Sequence, residues 1–439
     1  MEKKKSYGLI ALLPFLVFLV FYLGLSIYKN DFYSVPMPIA FIVASATAFM
    51  LEWKTKLNDK VEVFAKGMGD SNIMIMCLVF ILAGAFATLA KEMGAVDAAV
   101  RIAQHLIPAK MMLCGVFIVS CFISLAIGTS CGTIATITPI ALGLAQAIGL
   151  PIELMIGAVV GGSMFGDNMS MISDTTIAAT RTQGVAMHDK FITNLRIALP
   201  AAIVAIVLYF FLGKASNVSN MQEIQAITST DICLVLPYIF VLIFALVGFN
   251  VMPVLFCGIV MTSVIGILCK KFDFFTSLGA MGSGSLGMSE TLIVALLAGG
   301  LLGLIRYYGG IDYLLQKVNN FIRGTKGCEV GVAGIVSAIN LITANNTVAI
   351  VIAGPVAREL SEKYNCNAKR IASVLDVASC IIQGLIPYGA QILIAIGVAK
   401  TQNFDVSALA VIKTMYYQML MIVALIGFIL IPCKKSCRK

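Results

Sequence analysis

The stretch Gly-Asp-Asn-Met-Ser-Met-Ile-Ser-Asp-Thr-Thr, residues 166–176, contains two carboxylates, Asp167 and Asp174, and four hydroxyl side chains. The sequence around it is apolar over a length at which a bilayer-spanning helix is expected. Because a charge at membrane depth is costly, ionisable residues in such a segment usually serve a function. The stretch therefore predicts a membrane protein with a polar site inside the bilayer.

The overall composition describes the same setting. Hydrophobic residues make up 59% of the 439 residues, charged residues make up 12%, and long apolar runs recur throughout. We therefore expect an all-α polytopic membrane protein without a separate soluble domain. The first apolar run follows Lys3–Lys5 and lacks a small-residue cleavage pattern, which favours an uncleaved first helix over a signal peptide.

The positions of the charged residues and cysteines argue against a nucleic-acid-binding protein and against a metal-binding or disulfide-stabilised one. The net charge is +9, but the lysines and arginines gather in short loops, as orientation signals do, so no nucleic-acid partner is expected. The 12 cysteines lie mostly within apolar runs and show no metal-ligand spacing. We predict free thiols and no cofactor.

The chain contains an internal repeat. Leu82-Ala83-Gly84 recurs as Leu297-Ala298-Gly299, and the residues that follow the two motifs also correspond: Leu89, Lys91, Gly94 and Asp97 in one copy, Leu304, Arg306, Gly309 and Asp312 in the other. A polar segment separates the copies. These features predict a first repeat at 1–213, an external linker at 214–231 and a second repeat at 232–439.

Each repeat is predicted to hold about five transmembrane helices and one hairpin. In the first repeat we predict helices at about 8–28, 35–51, 72–90 and 191–213, a surface helix near 95–107, a hairpin at about 110–148 and a broken helix at about 152–183. In the second we predict helices at about 232–248, 251–269, 288–305 and 407–432, a hairpin at about 327–361 and a broken helix at about 368–398.

Each hairpin could instead be two full membrane spans. Their predicted tips, at 128–133 and 343–347, are small and polar. Non-helical backbone at membrane depth has to face protein or a water-filled cavity, which favours re-entrant hairpins. Because five is an odd number of crossings, the second repeat then has the opposite orientation in the membrane to the first. The predicted cytoplasmic side receives most of the lysines and arginines, including Lys190 and Arg370, so both termini are predicted to be cytoplasmic.

Inverted repeats with broken helices at the membrane midplane are typical of secondary transporters. A broken helix leaves unpaired carbonyl groups that a small cation can use. The sequence supplies hard oxygen ligands for Na+ near the first break, over 166–174, and at the first hairpin tip: Asp167, Asp174, Ser170, Ser173, Thr175, Thr129, Ser130 and Thr133. A symmetry-related site near the second break, over 379–389, would contain Asn345, Asn346, Thr347, Asp376 and Ser379.

Two motifs carry a resemblance to a known family. Gly-Asp-x-Met-Ser-x-x-Ser-Asp-Thr-Thr, following a Gly-Thr-Ser-x-Gly-Thr tip, resembles the NhaC-type Na+/H+ antiporters of the ion transporter superfamily. The resemblance implies exchange of Na+ and H+ across a prokaryotic plasma membrane. It also implies a homodimer whose hairpin-bearing domains move against a scaffold like an elevator. Asp167, Ser170, Ser173, Asp174 and Thr175 fall on the family's signature motif.

The chain departs from the family pattern at several positions. Asn168 stands where the family commonly has lysine, Met171 stands where it has proline, and Pro387-Tyr388-Gly389 replaces a Pro-Trp-Asn element. Some relatives carry organic acids or amino acids. A Na+-coupled transporter or exchanger of a small organic solute is therefore the alternative function.

The mechanism that we predict is competition for one carboxylate. Desolvation favours a protonated aspartate, whereas bound Na+ favours the ionised form, so the two ligands exclude each other. Asp174 is predicted to be the exchanging group and Asp167 its partner or a structural charge. The carboxylates could alternatively form a structural cluster, and the hairpin tips could be small-residue helix contacts. A channel and an intramembrane protease are rival classes, although the Gly-x-Gly-Asp motif of presenilin-like proteases is interrupted by Met164.

Overall fold

The computed structural model describes residues 7–25, 28, 36–52, 55–106, 108–171, 173–213, 227–246, 249–319, 322 and 324–431. Residues 214–226, most of the predicted linker, and the terminal lysines Lys3–Lys5 lie outside the described residues. Within the described ranges the secondary structure is helical and includes no strand. The prediction of an all-α fold is therefore confirmed.

The helices of the first half begin with α1 (Leu13–Leu19), which a 3-10 turn (Gly8–Leu12) precedes and a π turn (Val20–Gly24) follows. The rest are α2 (Met37–Met50), α3 (Leu57–Met68), α4 (Ser71–Met93), α5 (Ala95–Leu106), α6 (Ala109–Ile127), α7 (Ser130–Ile148), α8 (Ile152–Met169), α9 (Asp174–Gln183) and α10 (Met187–Gly213).

The helices of the second half follow the same order. They are α11 (Ser229–Leu246), α12 (Val251–Leu268), α13 (Phe274–Gly287), α14 (Ser289–Tyr307), α15 (Gly310–Asn319), α16 (Gly324–Thr343), α17 (Asn346–Lys363), α18 (Ala368–Leu385), α19 (Ala390–Thr401), α20 (Ala408–Lys413) and α21 (Tyr416–Leu430). In each half, two helices close a hairpin and a further pair forms one broken helix. One long helix, α10, then ends the first half, whereas the short α20 and the longer α21 end the second.

Several of these helices were not predicted from the sequence. The charged α3 and the glycine-rich α13 lack the long apolar run by which a spanning helix is recognised, and α15 is short and amphipathic. The two breaks are also shorter than predicted. The first lies between Met169 and Asp174, and the second lies between Leu385 and Ala390.

Glycine contacts join the two halves on one side of the molecule. A Cβ atom on Gly84 of α4 would overlap the carbonyl oxygen of Gly284 on α13. A Cβ on Gly67 of α3 would meet the carbonyl oxygen of Gly299 on α14 at 2.5 Å. Because small residues allow membrane helices to approach closely, these contacts pack the third helix of each half against the fourth helix of the other.

The fold agrees with a multi-pass membrane protein. Among the described residues, 6 helices are long and apolar enough to cross a membrane by length and composition, and shorter apolar helices accompany them. Large apolar side chains such as Phe122, Phe211 and Val423 are exposed, at 60% or more of their surface. An outer surface of this kind suits contact with lipid rather than water.

Candidate functional site

The two hairpin tips have the same backbone geometry. In the first hairpin (α6 and α7), Gly128 adopts the left-handed conformation with φ of 76°, and the extended Thr129 follows. In the second hairpin (α16 and α17), Ala344 has φ of 49° and the extended Asn345 follows. A left-handed alanine is strained, so its neighbours must hold it in place. Gln383 Nε2 does so by donating a hydrogen bond of 3.0 Å to the Ala344 carbonyl oxygen.

Both tips and both broken helices meet at one cavity. We call this space of ≈ 480 Å³ the central cavity. Most of its polar lining side chains come from the two tips and from the helix ends beside the two breaks: Thr129, Ser130, Asp167, Asp174, Thr175, Asn345, Asn346, Thr347, Gln383 and Gln391. Asn250, in the turn between α11 and α12, also lines it. Among the described lining residues, the two aspartates are the charged ones. The cavity is therefore anionic.

Asp167 is buried at the edge of the central cavity and is held by hydroxyl groups. Its Oδ2 accepts a hydrogen bond of 2.8 Å from Ser130 Oγ, and its Oδ1 accepts one of 2.5 Å from Ser173 Oγ. Ser173 occupies the N-cap position of α9, but its side chain makes no capping bond. The hydroxyl is directed to the carboxylate instead. Such donors stabilise the ionised form of an acid.

Asp174 has a different environment. It is the first residue of α9, its side chain is exposed, and it lines the central cavity. Within the described residues, its carboxylate has no hydrogen-bond partner. This carboxylate is therefore free to bind a small cation or a proton that enters the cavity.

A chain of hydrogen bonds connects the second broken helix to Asp167. Gln383 Nε2 donates to Gln391 Oε1 at 2.8 Å, and Gln391 Nε2 donates to Ser130 Oγ at 2.9 Å. Since Ser130 in turn donates to Asp167, every donor in the chain points toward this carboxylate. The chain therefore links the second broken helix to the carboxylate of Asp167.

Asp376 is also in the interior but lies outside the lining of the central cavity. Its Oδ2 is 2.5 Å from Lys190 Nζ, and both side chains are at most 1% exposed. Asn168 Nδ2 and Asn194 Nδ2 donate to the same oxygen at 3.1 Å and 2.8 Å. In this structure Asp376 is thus a compensated charge within a buried polar network.

The structure brings most of the predicted site residues together at the cavity. Asp167, Asp174, Thr175, Thr129, Ser130, Asn345, Asn346 and Thr347 line it, and Ser173 contacts two of them. Four others lie elsewhere. Thr133 Oγ1 donates a hydrogen bond to the Thr129 carbonyl oxygen, and the carbonyl oxygen of the buried Ser170 accepts one from Thr176 Oγ1. Asp376 and Ser379 are buried in α18 and do not belong to the lining of the cavity.

Sequence reasoning missed Lys190 and Asn194. Lys190 was counted among the charges of the predicted cytoplasmic loops, but its side chain is buried. Arg370 was counted in the same way, yet it is 9% exposed and its Nε is 2.5 Å from Glu329 Oε1. A signal for Lys190 was present, since it lies near the start of a long apolar run.

A helical membrane protein in which two hairpins and two broken helices enclose a polar cavity has the form of a secondary transporter. Residues 5–214 and 217–432 match the family model described as the Na+/H+ antiporter family. Because these ranges cover nearly the whole chain, the protein belongs to this family. The family consists of transporters rather than enzymes, so the protein is a secondary transporter.

The chain is also similar to individual proteins. The chain is 29% identical to the Na+/H+ antiporter NhaC of Bacillus subtilis, over 81% of this chain and 84% of the relative. It is 19% identical to the malate-2H+/Na+-lactate antiporter of the same organism, over 91% and 92%. The solved structure of Neisseria gonorrhoeae MtrF, titled as illuminating a class of antimetabolite efflux pumps, is 12% identical with a TM-score of 0.42, over 85% and 83%.

Proposed function

We propose that the protein exchanges Na+ for H+ and that the two ions compete for the carboxylate of Asp174. The single observation that carries this proposal is the central cavity. Both hairpin tips and both helix breaks meet there, and its charged lining side chains among the described residues are Asp167 and Asp174. Carboxylate, hydroxyl and amide oxygens are the hard ligands that suit a small cation such as Na+.

The environments of the two carboxylates support different roles. Asp167 accepts hydroxyl donors on both oxygens, which favours its ionised form. Asp174 has no such donors and faces the cavity. A proton or Na+ can therefore bind Asp174, while the hydrogen-bonded carboxylate of Asp167 supplies further oxygen ligands at the edge of the same cavity.

Exchange follows if the protein changes its access only with one ligand bound. Bound Na+ favours the ionised carboxylate and protonation removes the charge that Na+ requires, so the two occupied states exclude each other. Each state then carries its ion in one direction. The result is antiport without any covalent chemistry.

The geometry of the hairpins supports inverted repeats and re-entrant hairpins as part of the proposal. If both arms of a hairpin crossed the bilayer fully, the tip would lie at a membrane surface. Instead, both tips lie beside the breaks of α8–α9 and α18–α19, where irregular backbone borders a polar cavity. Five crossings and one hairpin in each half would then invert the second half relative to the first, with both termini in the cytoplasm.

We infer an elevator-type movement from the same arrangement. The hairpins and broken helices would form the moving domain, and the helices joined at Gly84–Gly284 and Gly67–Gly299 would form the scaffold. In the proposed topology, the start of α4 and the turn between α11 and α12 lie on the cytoplasmic side, and both border the cavity. A homodimer built on the scaffold follows from the resemblance to the family.

The decisive variant is Asp174→Asn. It preserves the size and polarity of the side chain but removes the charge for which Na+ and H+ compete. We expect Na+-dependent proton movement in proteoliposomes to fall to the level of empty liposomes. The measurement is the fluorescence of an internal pH dye after a Na+ gradient is imposed.

The matched control is Asp189→Asn. Asp189 is an acidic residue outside the cavity, where it pairs with Lys369 at 2.8 Å and the aspartate side chain is 37% exposed. This variant should retain more than about half of the activity, because exposed ion pairs contribute little. Normal exchange by Asp174→Asn would refute the assigned role.

A second candidate function is Na+-coupled transport or exchange of a small organic solute. The cavity of ≈ 480 Å³ is within the range of small-molecule sites and is larger than one bare cation requires. The neutral amides Gln383, Gln391 and Asn345 line it together with the acidic residues. The similarity to the malate-2H+/Na+-lactate antiporter agrees with this alternative.

A stability screen separates the two functions. Purified protein would be heated with Na+, Li+ or choline, alone and with a panel of amino acids and small carboxylates. Stabilisation by cations alone supports the Na+/H+ antiporter. Stabilisation by one organic compound that requires Na+ supports the organic transporter.

A further inference from the structure

Lys190 Nζ lies at the end of a half-helix, where the carbonyl groups of a broken helix can bind a cation. The last carbonyl groups of a helix have no partner within the helix and carry partial negative charge. At the end of α8, the Asn168 carbonyl oxygen accepts a hydrogen bond of 2.8 Å from Lys190 Nζ. The lysine reaches this oxygen from the first turn of α10.

Two further oxygens complete the surroundings of the ammonium group. Thr176 Oγ1, in the first turn of α9, accepts a hydrogen bond of 2.6 Å, and Asp376 Oδ2 from α18 lies at 2.5 Å. Lys190 Nζ therefore contacts a carbonyl, a hydroxyl and a carboxylate oxygen from three helices. These are the oxygen types that a small hard cation binds.

Because both side chains are buried, Asp376 needs a positive charge close to it. Lys190 is 1% exposed and Asp376 is 0% exposed, so neither charge reaches water. A buried charge that loses its partner is strongly destabilising. Asn168 and Asn194 donate hydrogen bonds to Asp376 but add no positive charge. The positive charge that balances Asp376 thus comes from Lys190.

We propose that the Lys190 ammonium is a resident cation that fills a second cation site, formed by Asp376, the Asn168 carbonyl and Thr176. Asp376 is then unavailable to Na+ and H+, and all exchange occurs in the central cavity, at Asp174. The consequence for exchange rests on the proposed function, whereas the existence of the filled site does not. Removal of the lysine side chain should therefore create a Na+ site where the wild-type protein has none.

The test uses full-length protein in detergent and its melting temperature in NaCl and in choline chloride. The background variant Asp174→Asn weakens Na+ binding in the central cavity, so that a new site can be seen. Adding Lys190→Ala should produce a Na+-specific rise in melting temperature of about 3 °C or more, relative to the background variant. Adding Asp376→Asn as well should abolish this rise.

Two outcomes would overturn the proposal. One is a folded Lys190→Ala protein without the additional Na+ response, and the other is a response that persists after Asp376→Asn. Folding of Lys190→Ala in NaCl but not in choline would support it, because Na+ would then replace the ammonium.

A second measurement covers the case in which Lys190→Ala folds in neither salt. The double variant Lys190→Gln/Asp376→Asn removes both charges together and retains polar groups. In proteoliposomes, its number of Na+ exchanged per H+, obtained from the reversal potential, should equal that of the wild type. A changed ratio would overturn the proposal. Absence of exchange in the wild type would instead refute the proposed function and leave the binding test valid.

Discussion

The two broken helices have similar backbones, but the first carries acidic side chains at positions where the second carries neutral ones. Asp167 is the third residue from the end of α8, and Gln383 is the third residue from the end of α18. The first residue after the break is Asp174 in α9 but Ala390 in α19. The first broken helix thus presents two carboxylates to the central cavity, whereas the second presents an amide and a methyl group.

The difference indicates a division of labour between the halves. The one acidic residue that the structure describes in α18 and α19 is Asp376, which Lys190 neutralises. The amides Gln383 and Gln391 instead form hydrogen bonds that lead to Ser130 and from there to Asp167. The first half would bind the ion, and the second would orient the groups that bind it.

The largest expected effect in this comparison comes from Asp167→Asn. The variant removes the fixed charge beside Asp174 and leaves the hydroxyls of Ser130 and Ser173 without an anionic acceptor. We expect the rate of Na+/H+ exchange at low Na+ to fall by about 100-fold or more, equivalent to about 2.7 kcal/mol. Initial rates in proteoliposomes measure it. A loss below about threefold would remove the distinction between the two halves.

A smaller effect is expected from Gln383→Leu, the corresponding position in the second half. The change leaves Gln391 Oε1 and the Ala344 carbonyl without their donor, but it removes no charge. A lost neutral hydrogen bond is worth about 1 kcal/mol, so the apparent KM for Na+ should rise by about 5- to 10-fold. An effect as large as that of Asp167→Asn would show that the second half binds the ion directly.

The smallest effect is expected from Ser173→Ala. It removes one of the two hydroxyl donors to Asp167 and leaves both carboxylates in place. We expect a rise in the apparent KM for Na+ of about fivefold, from the loss of about 1 kcal/mol. The control is Ser163→Ala in α8, whose hydroxyl bonds to Val159 of the same helix. If the two variants behave alike, Ser173 has no specific role at the site.

Much of this arrangement could be predicted from the sequence, because its signals are local. A polar stretch inside an apolar run located the first break, and small polar residues between two apolar arms located both hairpin tips. Hydrophobic length also predicted most of the long helices. The polar helix α3 and the glycine-rich α13 were missed because their contacts with the other half, at Gly67 and Gly284, are not visible as periodicity.

The pairing of Asp376 with Lys190 could not be predicted for a related reason. The two residues are far apart in the sequence and meet through the packing of α10 against α18. From the sequence, a lysine beside an apolar run is most simply an orientation signal. An aspartate before a break is as easily assigned to an ion site. Charge compensation between distant helices depends on the tertiary structure.

The most direct test of the central claim is the dependence of the apparent KM for Na+ on pH, measured in proteoliposomes. If Na+ and H+ compete for the one carboxylate of Asp174, the apparent KM for Na+ should rise on acidification and approach a tenfold rise for each pH unit at the acid end of the range. A KM that stays constant across that range, while exchange continues, would contradict the account.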